Sequence, residues 1–164
     1  MRLALAIATA TLALAAPASA APPTAGVLVS GSSLGGLRLG ATKAQVENAW
    51  GRAYGVCRNC PRLTWYFNYF AFRPRGAGVE LRNGRVAALF TLHSPPGWRT
   101  QRGLALGDRA GAVSGYYGPL KRVECDGYYA LVLERARSRT AFYVLRGRLW
   151  AFGLSRPEVP LCRS

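Results

Sequence analysis

The chain repeats itself. Gly36-Leu37-Arg38-Leu39-Gly40 returns as Gly103-Leu104-Ala105-Leu106-Gly107, an offset of 67 residues (103 minus 36) in a chain of 164. At the same offset Val46, Ala49, Trp50 and Gly51 are answered by Val113, Tyr116, Tyr117 and Gly118. Bulky groups at i, i+3 and i+4 mark one face of a short helix. Each of these helices runs into a glycine, which tolerates the left-handed conformation common just past a helix C-terminus. Thr42 with Gln45 three residues on forms a capping box, in which each side chain satisfies the other's free backbone N–H. Asp108 is expected to cap the second helix.

After each helix the pattern changes to strand. The first half offers 64–72, 78–82 and 85–92, and the second 128–134, 140–145 and 148–155. Asn83-Gly84 joins two of these runs, and Asn-Gly is a strong hairpin signal because both residues accept the positive φ of a type I′ turn. Arg146-Gly147 stands at the corresponding place in the second half. The fold expected is therefore α+β, two repeated units, each a short helical segment followed by an antiparallel sheet of three to four strands. A core of about 60 residues is marginal alone, so the two sheets are expected to join or pack. The expected boundaries are a flexible N-terminal arm at 21–33, a first unit at 34–94, a linker at 95–102 opened by Pro95-Pro96-Gly97, and a second unit at 103–164.

Several of these residues resemble a known pattern. Gly40-Ala41-Thr42, Gln45-Val46, Gly51, Trp65-Tyr66, and Val79 through Asn83-Gly84-Arg85-Val86 are similar to the BamE-like motif. A tandem pair of such units resembles the β-lactamase inhibitory protein fold. The resemblance covers nearly all of 36–155 and implies two helix-then-sheet units with sheets side by side, and a partner protein bound across the concave sheet face. BamE proteins are single-unit lipoproteins with an acylated cysteine, and this chain has none at its expected cleavage point. It also carries no recognisable inhibitory loop motif.

The first 20 residues have the parts of a secretory signal peptide: Arg2, an apolar run from Leu3 to Leu14, and Ala18-Ser19-Ala20, with cleavage expected after Ala20. That run is too short to cross a bilayer, which takes about 20 apolar residues. The expected location is therefore secreted or extracytoplasmic, with no transmembrane segment in the mature chain. The net charge is +15, or +14 once Arg2 is removed (15 minus 1). It comes almost wholly from arginine, with Lys43 and Lys121 the only lysines. Two readings stand: a coding bias that leaves a solvated surface, or attraction to anionic envelope polymers, acidic lipids or nucleic acid.

Four cysteines in an exported chain imply disulfides. Three pairings are possible, and Cys57 with Cys60 and Cys125 with Cys162 keeps each bridge inside one unit. Cys57-Arg58-Asn59-Cys60 also matches the spacing of a thiol–disulfide redox motif, which needs a helix N-terminus to acidify its first thiol. Here the motif follows a helix and leads into a strand. One C-x-x-C pair does not make a four-cysteine metal site, so neither metal nor cofactor is expected. His93 is the sole histidine and no nucleophile can be assigned to it, and Glu124 and Asp126 on alternate positions read as a solvated face. No catalytic residue is expected.

What remains is surface. Trp65, Phe67 and Tyr69 share one side of a strand, while Tyr66, Phe70 and Phe72 share the other. One helix covers one face, so a second aromatic face needs either the other unit or a partner. The expected binding residues are Trp65, Phe67 and Tyr69 on that face, with Arg73, Arg75, Arg135, Arg137 and Arg139 forming one basic rim. The function expected is a secreted, monomeric, non-catalytic binding protein, inhibitor-like by the resemblance, that recognises a protein or an anionic envelope polymer, with no specific nucleic acid. A small secreted enzyme or a redox protein using Cys57 and Cys60 is the alternative.

Overall fold

A computed structural model describes residues 23–70 and 73–162, and at 69, 70, 73 and 74 the backbone alone. The expected signal peptide lies outside the described residues. Along the chain come β1 (Gly26–Val29), β2 (Ser33–Leu34), β3 (Leu37–Arg38), α1 (Lys43–Trp50), β4 (Tyr54–Val56), β5 (Leu63–Phe70), β6 (Arg73–Arg82), β7 (Arg85–Leu92), β8 (Trp98–Thr100), α2 (Ala110–Tyr117), β9 (Lys121–Cys125), β10 (Tyr128–Arg135), β11 (Ser138–Leu145) and β12 (Arg148–Ser155). The architecture is α+β, with two helices and two mostly antiparallel sheets. The larger sheet has eight strands in the order β4-β5-β6-β7-β12-β11-β10-β9, and the smaller has four in the order β3-β2-β1-β8.

Local chemistry accounts for the elements. Thr42 and Gln45 make both bonds of a capping box, the Gln45 side-chain oxygen accepting from the Thr42 N–H at 2.8 Å and the Thr42 hydroxyl oxygen from the Gln45 N–H at 3.3 Å. Asn83 and Gly84 have φ of 51° and 71°, and Arg146 and Gly147 of 51° and 74°, so both hairpins turn through two left-handed residues and keep the twist of their strands. Asp108 does not cap α2. Its carboxylate accepts from the Ala105 N–H at 2.8 Å, closing the turn before the helix, and Arg109 takes the cap position without a side-chain bond.

Two further expectations are corrected. Within the expected arm 26–29 is a strand and Ser33 begins another: β1 pairs in parallel with β8 and antiparallel with β2, and Leu28 is buried. The expected linker supplies β8 itself, with Trp98 buried in the core. Strands of two to four residues are too short to show an alternating pattern, and they exist because the core needs a lid. That core lies between the small sheet with α1 and α2 on one side and the eight-stranded sheet on the other. It brings Leu28, Leu34, Trp50 and Trp98 onto Phe67, Val79, Phe142 and Phe152. Trp50 meets Phe67 edge-on at 5.2 Å and Trp98 at 6.4 Å, and its indole N–H donates to the Gly35 carbonyl at 2.8 Å.

The halves of the large sheet meet at β7 and β12, where Phe90, Leu89 and Ala88 face Gly153, Leu154 and Ser155. At one end of this seam the Phe152 N–H donates to the buried Thr91 hydroxyl at 2.8 Å, and at the other the Arg156 N–H donates to the Ala87 carbonyl at 3.0 Å. Thr91→Val keeps the shape and strands that N–H, so unfolding in denaturant is expected to show a loss of about 1–3 kcal/mol. Near the β4 edge, burial first, and then a 2.9 Å hydrogen bond to the Glu47 carboxylate and its charge, raise the Tyr54 hydroxyl above its usual value of 10.0. Tyr54 is neutral in the fold, so its contribution is complete below about pH 10 and is lost as pH rises through the raised value. Thermal unfolding of Tyr54→Phe is expected to fall less steeply above that pH than the parent's.

Candidate functional site

Strand period decides which residues share a face. Trp65 and Phe67 of β5 point toward the helices, Phe67 fully buried and Trp65 stacked on Tyr54 at 4.1 Å between ring centres. They are core, and the expectation that they form a binding face is corrected: α1 and the small sheet cover that side. The Tyr69 side chain lies outside the described residues. Tyr66 on the opposite side belongs to the face that the helices leave open.

That open face is covered in part by the chain's own C-terminal segment. After β12 the chain turns back over it. Val159 packs on Ala87 and Ala88, and Leu161 on the cluster that includes Ala130, Val132, Ala141 and Tyr143. The Tyr143 hydroxyl donates to the Leu161 carbonyl at 2.9 Å. Arg139 donates to the Val159 carbonyl at 2.6 Å and also to Pro157. The disulfide Cys125–Cys162 ties the segment to β9 at one edge of the sheet. Cys162 also lines a small cavity with Cys60, Thr64 and Tyr66 from the other side of the sheet. The eight strands therefore curl around the tail.

The tail leaves a gap at the end of the sheet where β7 finishes. A cavity of ≈ 170 Å³ opens there, walled by the rings of Tyr66, Phe90, His93, Tyr128, Tyr143 and Trp150. Two glycines admit the rings: a Cβ on Gly78 would lie 2.3 Å from Phe90, and one on Gly153 2.9 Å from Tyr143. The rings pack mostly edge to face, Tyr66 with Phe90 at 6.1 Å and 78°, Tyr128 with Trp150 at 5.7 Å and 86°. The Trp150 indole N–H is buried with no hydrogen-bond partner among the described residues. At the rim His93 and Ser94 are both left-handed, with φ of 50° and 48°, and the Ser94 hydroxyl donates to the Trp150 carbonyl at 2.8 Å. Of this group the sequence reading reached Tyr66, Tyr128 and His93 but missed Phe90, Tyr143 and Trp150, the last because the irregularity between Tyr143 and Val144 puts Trp150 on a face that strict alternation denies it.

The arginines do not form one rim. β6 starts at Arg73 and runs toward Arg82, so Arg73 and Arg75 stand at the end of the sheet near Leu92. Arg135, Arg137 and Arg139 stand at the other end, beside Ser155. The Arg73 side chain lies outside the described residues, Arg75 is exposed, and Arg139 is occupied with the tail. Around Arg137 a cleft of ≈ 630 Å³ is lined by Gly31, Ser32, Arg38, Ser138, Arg156 and Glu158, among others.

Cys57 and Cys60 are bridged in the loop between β4 and β5, and no helix N-terminus adjoins them. These and Cys125–Cys162 are the two pairs named above. Glu124 is engaged by Arg122, and Asp126 is exposed in the β9–β10 turn. Among the described residues no three histidine, cysteine or acidic side chains gather in a metal-binding group, and no helix is long and apolar enough to cross a membrane.

No protein-family model matches the chain, and no curated protein matches it in sequence. Among solved structures it is similar to YjgB of Bacillus subtilis subsp. subtilis, a DUF4309 family protein, with TM-score 0.50 and 13% identity over 71% of this chain and 78% of that one. It is also similar to an extracellular protein containing a SCP domain from Bacillus anthracis, with TM-score 0.51 and 8% identity over 73% of this chain and 44% of that one. At such identities the likeness is one of fold. The likeness does not show the BamE-like or β-lactamase inhibitory protein repeat.

Removing a fully buried ring leaves a cavity in the core. Phe67→Ala is expected to lower unfolding free energy by about 3–5 kcal/mol, whereas Tyr128→Phe on the open side is expected to change it by less than about 1.5 kcal/mol. Chemical denaturation of the two variants checks this assignment of faces.

Proposed function

We propose that this chain is an extracytoplasmic, non-catalytic binding protein that takes a ring-bearing side chain of a partner protein into the cavity on the open face of its eight-stranded sheet. The observation that carries the reading is the Trp150 indole N–H, buried in a wall of aromatic rings with no hydrogen-bond partner among the described residues. A buried donor left unmade costs about 1–3 kcal/mol, and a peptide carbonyl seated there would satisfy it. The size agrees with the occupant, since an apolar cavity of about 150 Å³ holds one benzene ring. Edge-to-face rings with short, stiff side chains are large contact area already ordered, the property that makes aromatics dominant in interfaces.

The extracytoplasmic placement is supported by the two disulfides, which persist in oxidising compartments. The tandem, inhibitor-like reading is supported by the order of elements: α1 precedes β4–β7, α2 precedes β9–β12, and the two sets of strands meet side by side. A partner held on the open face would sit where the resemblance to the β-lactamase inhibitory protein fold implies, although at Tyr66 and Trp150 rather than at Trp65 and Phe67.

Affinity capture from the native culture, compared between the parent and Trp150→Phe, tests the reading. Phenylalanine keeps the ring and deletes the N–H, so a partner held through this cavity is expected to bind about tenfold more weakly. Retention of every partner at parental affinity by both Trp150→Phe and Trp150→Ala, each with a native circular dichroism spectrum, defeats it.

A further inference from the structure

The far end of the sheet carries a second concavity of opposite character. Arg38 from β3, Arg137 from the β10–β11 turn and Arg156 from the segment after β12 converge on the cleft of ≈ 630 Å³. Arg156 and Glu158 continue into an adjoining cavity of ≈ 500 Å³ that Arg82, Asn83 and Arg85 line across the β6–β7 turn. Five arginines from five separate segments therefore face one continuous hollow. Among the described residues Glu158 is the one acidic group in its lining, and its one ion pair is a loose 3.9 Å contact with Arg82. Five positive charges against one negative leave +4 (5 minus 1), and Arg38, Arg85, Arg137 and Arg156 have no carboxylate partner among the described residues.

The chain is rich in arginine everywhere, so residue type alone argues nothing; placement does. Surface guanidinium groups usually spread apart, and these are gathered by the backbone. The Gly31 carbonyl accepts from the Ser138 hydroxyl at 3.2 Å and the Gly31 N–H donates to the Thr140 hydroxyl at 2.8 Å, which docks the β1–β2 turn against β11 and makes one wall. On the other side Arg85 donates to the Gly40 carbonyl at 3.1 Å, and a Cβ on Gly40 would stand 3.6 Å from the Arg156 guanidinium. A hollow lined by one sign of charge focuses its field and concentrates counter-ions. Planar guanidinium forks bind phosphate oxygens in pairs, and two cavities that share Arg156 and Glu158 give room for several successive groups of a flexible chain.

We propose that the cleft lined by Arg38, Arg82, Arg85, Arg137 and Arg156 is a binding site for a linear, flexible polyanion bearing phosphate groups. The site is separate from the aromatic cavity, at the opposite end of the same sheet, and does not depend on the reading given for that cavity.

The test is fluorescence anisotropy of the disulfide-bonded protein with labelled linear inorganic polyphosphate. Affinity is expected to fall steeply between about 50 and 200 mM salt, as contacts to successive phosphates require. Arg38→Gln, Arg137→Gln and Arg156→Gln combined are expected to weaken binding by about tenfold or more. Arg75→Gln, Arg109→Gln and Arg146→Gln combined, which remove equal charge at the other end of the sheet, are expected to weaken it by about twofold or less. Glu158→Gln is expected to tighten binding by about two- to fivefold and Asp126→Asn to leave it nearly unchanged; this pair decides the matter if either triple variant fails to fold. Equal losses from the two triples, equal effects of Glu158→Gln and Asp126→Asn, or tighter binding of double-stranded DNA than of polyphosphate would each mean that net charge and not this cleft attracts the anion, and would overturn the proposal.

Discussion

The pairing of β7 with β12 is the contact on which the rest of the molecule depends. Each set of four strands alone would expose an unpaired edge and a marginal core. Joined, they make one surface wide enough for a single cluster to run from Phe67 and Val79 through Leu89 to Phe152 and Phe142. The seam is short, three facing residue pairs, and side chains extend it: Thr91 receives the Phe152 N–H, and the Ser94 N–H and hydroxyl both donate to the Trp150 carbonyl. Both concavities straddle this line. Phe90 and Trp150 face each other across one end, and Arg85 and Arg156 across the other.

Covering follows from the same geometry. A sheet of eight strands has two faces to shield, and two helices of eight residues each are too small to shield even one. The small sheet completes the first side, with Trp98 packed so closely on Gly26 and Gly35 that a Cβ on either would lie within about 3.0 Å of its ring. The C-terminal segment shields the second side, clasped by Cys125–Cys162 and by Arg139. The aromatic cavity lies on the part of the open face that residues 156–162 do not line. In this sense the disulfide does more than staple the fold, because the path it imposes on the tail sets how much of the open face is left.

The fold was legible where a local rule applies over several residues. The capping box at Thr42, the two-residue turns at Asn83-Gly84 and Arg146-Gly147, and most of the six long strands follow from patterns within about ten residues, although 73–77, expected as a connection, is the first half of β6. The parts that escaped were short or set by contact. β1, β2, β3 and β8 are held in place by what they cover, and β4 and β9 have little alternation of their own. The candidate sites were less legible still. Trp65 and Phe67 were correctly grouped on one face, yet period alone leaves open which face turns to the helices. Arg137 was singled out, but with Arg73 and Arg75, which the hairpin carries to the opposite end.

By itself, then, the sequence determined part of the local conformation: the capping box at Thr42, the two-residue turns at Asn83-Gly84 and Arg146-Gly147, which residues of β5 travel together, and that its cysteines are even in number. These depend on bonds and torsions between near neighbours. Only the tertiary structure decided which side of β5 is buried, that 26–29, 33–34 and 98–100 are sheet, and that Arg38, Arg137 and Arg156 meet around one cleft. The physical reason is that a face, a lid or a charged hollow is defined by groups far apart along the chain. Their coming together is set by the β7–β12 register and the path of the tail, which no window of the sequence contains.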